Sequence, residues 1–245
     1  MIDLHVHLLH GVDDGPETLE EAVEMCRAAA DDGIETLFVT PHQRHGFWPN
    51  ADRKVLEALF EELREAAGDK PALVLGGEIR VDSELLHEVD SLPGGGLLPL
   101  AGSRYLLLEF ASVPIGLDPR HMVHELTVAG WHPILAHPER IPWLVDQPAL
   151  MAELVERGAL LQLTAGSIVG EFGRGPQECC FVLLDEDLAH FVASDAHDAH
   201  IRPPRLSGAF QAIAERWGER RARQLIDQNP RAVLENRQLS VHNAS

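Results

Sequence analysis

The chain has 245 residues, is 45% hydrophobic and carries a formal net charge of -19, from 20 Lys and Arg against 39 Asp and Glu. That length holds one large α/β domain without forcing two, and the apolar content supplies a full core, which excludes a disordered chain. The acidic balance argues against a nucleic-acid partner, whose binding depends on Lys and Arg neutralising phosphates.

The same charge repels anionic substrates at long range, so a phosphate-ester enzyme of this composition needs local positive charge, which bound metal ions provide. Cys26, Cys179 and Cys180 are an odd number and form no C-x-x-C pair. This argues against a disulfide framework or a thiolate zinc site and fits reduced thiols in the cytoplasm. No signal peptide is visible and no apolar run is long enough for a bilayer, so no membrane insertion is expected.

In chain order, seven apolar runs read as buried parallel strands, at about 2–5, 35–40, 72–77, 104–109, 132–136, 159–164 and 190–194. Helical stretches separate most of them. The first runs from Thr18 to Asp31, with a capping-box pattern at Thr18-Leu19-Glu20-Glu21 and a stop at Gly33. Val23, Cys26 and Ala30 mark its apolar stripe. Further helices are predicted at about 51–67, 118–130, 147–157, 176–187 and 207–227. The Gly94-Gly95-Gly96 segment reads as a loop without the Lys-Ser/Thr of a phosphate loop, and about 238–245 as a polar tail.

Six of these runs end in metal-ligand side chains. His5 and His7 follow the first run, His42 the second, Glu78 the third, Glu109 the fourth, His137 the fifth, and Asp195 and His197 the last. His5 and His7 are two apart, as are Asp195 and His197, so each pair shares one face of a strand. One such ending is ordinary; six imply one metal site at one end of one sheet. Strands alternating with helices predict a parallel α/β fold. Ligands at nearly every strand's C-terminal end favour closure into a TIM-like barrel, with an open doubly wound sheet as the alternative. A mixed His/carboxylate set suits Mn²⁺, Fe²⁺ or Zn²⁺ in hydrolytic enzymes. Asp14, in Asp13-Asp14-Gly15-Pro16, reads by itself as a turn residue.

The stretch from His5 to Pro16 resembles the first motif of the PHP (polymerase and histidinol phosphatase) superfamily. More narrowly it is similar to the metal-dependent protein-tyrosine phosphatases of bacterial capsule and exopolysaccharide clusters. Thr40-Pro41-His42, Gly77-Glu78, Leu107-Leu108-Glu109, Ala136-His137-Pro138-Glu139-Arg140, Ser194-Asp195-Ala196-His197 and Asn229 to Leu234 match in order. Gln162 to Gly170 and Arg202-Pro203-Pro204 match as well.

The resemblance implies one PHP-type phosphoesterase domain over 1–245, a distorted seven-stranded (β/α)7 barrel holding three divalent metal ions. His5, His7, Glu78 and Asp195 would hold the first, Glu78, Glu109 and His137 the second, and Asp14, His42 and His197 the third. Manganese is the first choice, with iron or zinc as alternatives. Four carboxylates against three divalent ions leave a local charge of about +2 that attracts phosphate. A water bridging the ions would be acidified toward hydroxide and attack phosphorus in line.

Arg140 is the leading phosphate ligand, then Arg202, then Arg205; each has a plain alternative as a surface ion pair. The aromatic residue that often follows this arginine is replaced by Ile141, with Trp143 as a stand-in. Phe47 and Trp48, in a loop after His42, are expected either to stack on a tyrosyl ring or to pack in the core. His10 and His45 are candidates for protonating the leaving group. None of the cysteines is followed by a phosphate-cradling loop ending in arginine, so thiolate catalysis is not expected.

The expected function is hydrolysis of phosphotyrosine in proteins. The substrate implied is a bacterial tyrosine autokinase of polysaccharide export. Alternatives are a small-molecule phosphatase of the histidinol phosphatase kind, a metal-dependent nuclease, and a non-enzymatic metal-binding regulator. Oligomeric state is left open.

Overall fold

The computed structural model describes residues 1–92, 94–114 and 116–239. Among the described residues nine strands are present: β1 (Ile2–Val6), β2 (Thr36–Val39), β3 (His42–Gln43), β4 (Ala72–Leu75), β5 (Glu78–Arg80), β6 (Tyr105–Glu109), β7 (His132–Ala136), β8 (Leu160–Thr164) and β9 (Ala189–Ala193). All their pairings are parallel, in two sheets ordered β1-β2-β4 and β3-β5-β6-β7-β8-β9.

Each of the seven expected runs contains a strand, and the parallel α/β expectation holds. Two strands more than the seven expected runs are present, because β3 and β5 follow the second and third runs after a break. Thr40-Pro41 separates β2 from β3, and Pro41 has no N–H to donate to a ladder. Gly76-Gly77 separates β4 from β5; a Cβ on Gly77 would lie 2.4 Å from Gln43 Oε1, so a side chain there would displace the buried Gln43 amide. The far edges meet at a parallel bridge between Val6 and Ala196. There His7 N–H donates to Ala196 O at 2.9 Å, and Asp195 N–H donates to His5 O at 3.0 Å.

The alternation of side chains explains where the site forms. Tyr105 and Leu107 of β6, Ile134 and Ala136 of β7, Leu160 of β8, and Phe191 and Ala193 of β9 share one apolar cluster on the inner face. Leu106, Leu108, Leu135, Leu161 and Val192 point the other way, into the larger cluster shared with the helices. Counting on by two reaches Glu109, Gln162, Thr164 and Asp195. In β1 the register shifts between Asp3 and Val6. This bulge lets Leu4 join the inner cluster while His5 also turns inward, against Gln162.

Helix α1 (Leu19–Asp31) carries the expected capping box at Thr18 and Glu21, and Gly33 has φ 83. Its buried stripe is Ala22, Met25, Cys26 and Ala29. Of the three expected stripe residues, Cys26 is buried, Val23 half-buried and Ala30 exposed, so the stripe is turned by about one residue. Helices α2 (Arg53–Ala67) and α4 (Pro119–Val128) start from Asp52 and Asp118 caps, with a short α3 (Leu85–Val89) between them that was not anticipated. Then come α5 (Pro148–Glu156), the single-turn α6 (Ala165–Val169) and α7 (Arg174–Asp185).

The long final helix expected at about 207–227 is broken. Gly218, at φ 90, ends α8 (Ser207–Trp217) and starts α9 (Glu219–Arg223). A π-helical segment (Gln224–Gln228) and α10 (Asn229–Leu234) follow. From residue 240 on, the expected polar tail lies outside the described residues. Among the described residues no helix is long and apolar enough to cross a membrane.

Candidate metal centre

At the C-terminal ends of the strands, four overlapping groups of donor atoms assemble. They are His5, His7 and Glu78; His5, His137 and Asp195; His42, Glu78 and Glu109; and His7, Asp14, His42 and His197. Every metal-ligand candidate read from the sequence therefore falls in this one cluster. The grouping is more entangled than the expected division, since His42 joins Glu78 and Glu109, and His137 joins His5 and Asp195.

Several histidines have their distal nitrogen held, which aims the other inward. His5 Nδ1 is 2.9 Å from Gln162 Oε1, His7 Nδ1 is 2.9 Å from Asp13 Oδ2, and His197 Nδ1 is 2.9 Å from the Asp195 carbonyl. Such partners fix ring orientation and tautomer in metal sites. Asp13, which the sequence does not distinguish from a turn residue, also accepts the His42 N–H at 3.0 Å and the Gly15 N–H at 3.0 Å. Burial pushes its carboxyl up, but His7 and the two amides outweigh this and leave it below the usual carboxylate range. A Cβ on Gly15 would lie 2.8 Å from His7 O, so the turn closes only around glycine.

The donor set fits divalent cations on two counts. First, His5 Nε2 and His7 Nε2 each lie 3.4 Å from a Glu78 oxygen and 3.4 and 3.5 Å from Asp195 Oδ1. Donors about 2.1 Å from a common ion at a tetrahedral angle are about 3.4 Å apart. Second, Glu109 Oε2 and His137 Nδ1 are buried with no hydrogen-bond partner, and His42 Nδ1 and Glu78 Oε2 have only each other, at 2.9 Å. Buried polar atoms are rarely left so.

Electrostatics point the same way. Burial pushes the Glu78 carboxyl up, but His5, His42 and His137 outweigh it and hold the group well below the carboxylate range. Glu109 is pushed up by burial and by the Glu78 charge, only partly offset by His137, His42 and Arg80. Crowded carboxylates of this kind are relieved by cations.

Two arginines border the cluster. Arg140 Nη1 donates to Asp195 Oδ2, and Arg202 Nη2 donates to the same oxygen at 2.8 Å. Asp195 thus faces the imidazoles with Oδ1 and the guanidiniums with Oδ2. Arg205 is exposed and makes no ion pair among the described residues. The ring over Arg140 is Phe172, 4.3 Å from the guanidinium carbon to the ring centroid, and Arg202 lies 6.0 Å from the same ring. Trp143, the expected stand-in, instead donates to Ala111 O at 2.9 Å and meets Phe110 edge-on.

In the loop after β3, Trp48 stacks on His42 with centroids 5.4 Å apart and planes at 4°, and on His45 at 4.7 Å. Phe47 is 85% exposed, which rules out core packing for its ring. His10 turns to Glu62 of α2, 3.9 Å away. All three cysteines are buried, and burial raises the thiols of Cys26 and Cys179 to about 12 and that of Cys180 further. Such thiols stay protonated and are not nucleophiles.

The profile of the family described as "Capsular polysaccharide synthesis, CpsB/CapC" matches residues 1–235. CapC of Staphylococcus aureus is 37% identical over 212 residues, 86% of this chain and 82% of that protein. Tyrosine-protein phosphatase YwqE of Bacillus subtilis is 34% identical over 245 residues, 99% of this chain and 92% of that protein. A chain from the crystal structures of YwqE from Bacillus subtilis and CpsB from Streptococcus pneumoniae, described as unique metal-dependent tyrosine phosphatases, superposes with a TM-score of 0.88. It is 32% identical, with 98% of this chain and 96% of that one covered. The chain belongs to the CpsB/CapC family of capsular polysaccharide synthesis.

Proposed function

We propose that this chain is a metal-dependent phosphomonoesterase that hydrolyses phosphotyrosine in proteins. Its setting is capsule or exopolysaccharide synthesis in the cytoplasm, and its substrate a bacterial tyrosine autokinase. The chain is read as one phosphoesterase domain. The contact between Val6 and Ala196 supports reading the two sheets as parts of one distorted barrel of seven strand units. The carrying observation is the convergence of His5, His7, His42, Glu78, Glu109, His137, Asp195, His197 and Asp14 on a common centre, with two guanidiniums at its edge.

We assign His5, His7, Glu78 and Asp195 to one ion, Glu78, Glu109 and His137 to a second, and Asp14, His42 and His197 to a third. Mn²⁺ is the first choice and Fe²⁺ or Zn²⁺ the alternatives. When bound, such ions supply Lewis acidity toward phosphoryl oxygens and acidify coordinated water.

The chain's own groups do the rest. Asp13 and Gln162 orient the His7 and His5 rings. Arg140 and Arg202 bind the phosphoryl oxygens and neutralise the charge that develops on them. Phe47 offers an exposed ring at the mouth for the tyrosyl group. A tyrosyl leaving group has a pKa near ~10 and needs little acid assistance, so neither His10 nor His45 is assigned that task.

The test is phosphate release after metal stripping and Mn²⁺ reconstitution, comparing a phosphotyrosyl peptide, a phosphoseryl peptide and histidinol phosphate. Preference for the phosphotyrosyl peptide, lost again with chelator, is expected. Preference for histidinol phosphate would overturn the substrate, and no release from any of them would overturn the reaction.

A further inference from the structure

A cavity of 570 Å³ opens beside the arginine pair, between the β8–α6 turn and the loop from β9 to α8. Arg202 and Phe172 belong both to its wall and to the site, and Ser194, next to Asp195, also lines it. The rest is mainly apolar, formed by Ala165, Val169, Ile201, Pro203 and Ala209, with Glu171 and Arg205 as its charged members. Ile201 on the rim is 86% exposed and Val169 40%. A large aliphatic side chain left in water forgoes burial that a covering partner recovers.

The shared wall is built in. A Cβ on Gly166 would lie 2.8 Å from Phe172 Cε2, so glycine at that position admits the ring. The ring then lies against both guanidiniums.

We propose that this cavity is a second substrate subsite, taking an apolar side chain of the polypeptide that flanks the phosphotyrosine. The inference rests on the phosphatase reading above. Arg202 and Phe172 are shared between the phosphate position and the cavity, so the two lie side by side. A residue next to the phosphotyrosine can enter the cavity, because an extended backbone advances about 3.3 Å per residue and carries its side chains to either face. A small phosphate ester has no such part, so the cavity also bears on the choice between protein and small substrates.

Gly208 lines the cavity, and a Cβ there would meet only Val169 Cγ1, at an ordinary 3.7 Å. Gly208→Leu therefore fills the space without a backbone clash, and Ile201→Asp makes the rim polar at a position too exposed to matter for folding. The Mn²⁺-loaded proteins are assayed on free phosphotyrosine and on phosphotyrosyl peptides with Leu or Gly at the positions beside the phosphotyrosine.

The wild type is expected to favour a Leu peptide by about tenfold in kcat/KM. Both variants should lose that preference and keep their rate on free phosphotyrosine. Absence of the preference in the wild type, or its survival in both variants, would overturn the subsite. Equal loss on free phosphotyrosine would place the aryl ring in the cavity and overturn it as well. A wild type inactive on every phosphotyrosyl substrate would overturn the reaction itself, and the subsite with it.

Discussion

Along the inner face of β6, Tyr105 and Leu107 lie in the apolar cluster, and the next residue on that face, Glu109, belongs to the polar centre. On β9 the same step runs from Phe191 and Ala193 to Asp195, and on β1 the bulge turns His5 inward directly after Ile2 and Leu4. The lower layers are apolar and closely packed. The upper layer buries imidazoles and carboxylates with several polar atoms unpartnered. Unpaired buried charge is costly, so the lower layers hold the fold while the upper layer holds a site that is incomplete without cations.

Separating the two layers by mutation tests that contrast. In the upper layer, His7→Ala or Asp195→Ala should lower kcat/KM by at least about a thousandfold, over ~4 kcal/mol of barrier. The circular dichroism spectrum should stay native. Near-normal activity in either purified, metal-quantified variant would remove that residue from the centre.

In the lower layer, Phe191→Ala should cost about 3–5 kcal/mol in denaturant unfolding while leaving the ligands in place. A smaller loss, or loss of metal binding at full stability, would contradict the division.

The lower end of β9 also carries His190, buried and accepting the Leu161 N–H on Nδ1 at 3.2 Å. Burial, with Arg221 adding to it, pushes its pKa from 6.5 down to about 4. The unfolded chain therefore binds a proton in this window while the folded one does not, so stability falls as pH drops from 6.5 toward about 4. The full effect is of order ~3 kcal/mol. His190→Asn should flatten this acid limb in denaturant titrations of the metal-free protein; an unchanged limb would assign it to other groups.

At the edge between chemistry and packing, Arg140→Ala should cost about a hundredfold in kcat/KM, about 2.7 kcal/mol. Its metal content should be unchanged, and unchanged kinetics would remove Arg140 from the phosphate site.

Much of the upper layer was legible in the sequence, because the ligands follow apolar runs; strand alternation carries Glu109 and Asp195 onto the inner face, while His5 needs the β1 bulge and His137 a left-handed backbone at φ 35. What escaped depends on contacts between distant segments. Asp13 looked like a turn residue beside Asp14, and only the fold brings His7 Nδ1 within 2.9 Å of it. Phe172 had no motif to mark it; Gly166 and the two arginines give its position meaning.

The extra strands β3 and β5 arise beyond Pro41 and Gly76-Gly77, at and after the ends of the second and third runs, where pairing resumes after the break. Gly218 was a visible breaker within an amphipathic stretch, and the periodicity on both sides masked it. In α1, small alanines on several faces left the stripe open to a one-residue rotation.

The most direct test of the central claim is a Mn²⁺ titration of metal-stripped protein, with bound metal and melting temperature followed together. The account predicts that Tm rises as the centre fills, corresponding to about 2.7 kcal/mol at a hundredfold excess over Kd, with most of that gain lost in Asp195→Ala. Melting that is indifferent to the metal, or a gain as large in Asp195→Ala as in the wild type, would contradict it.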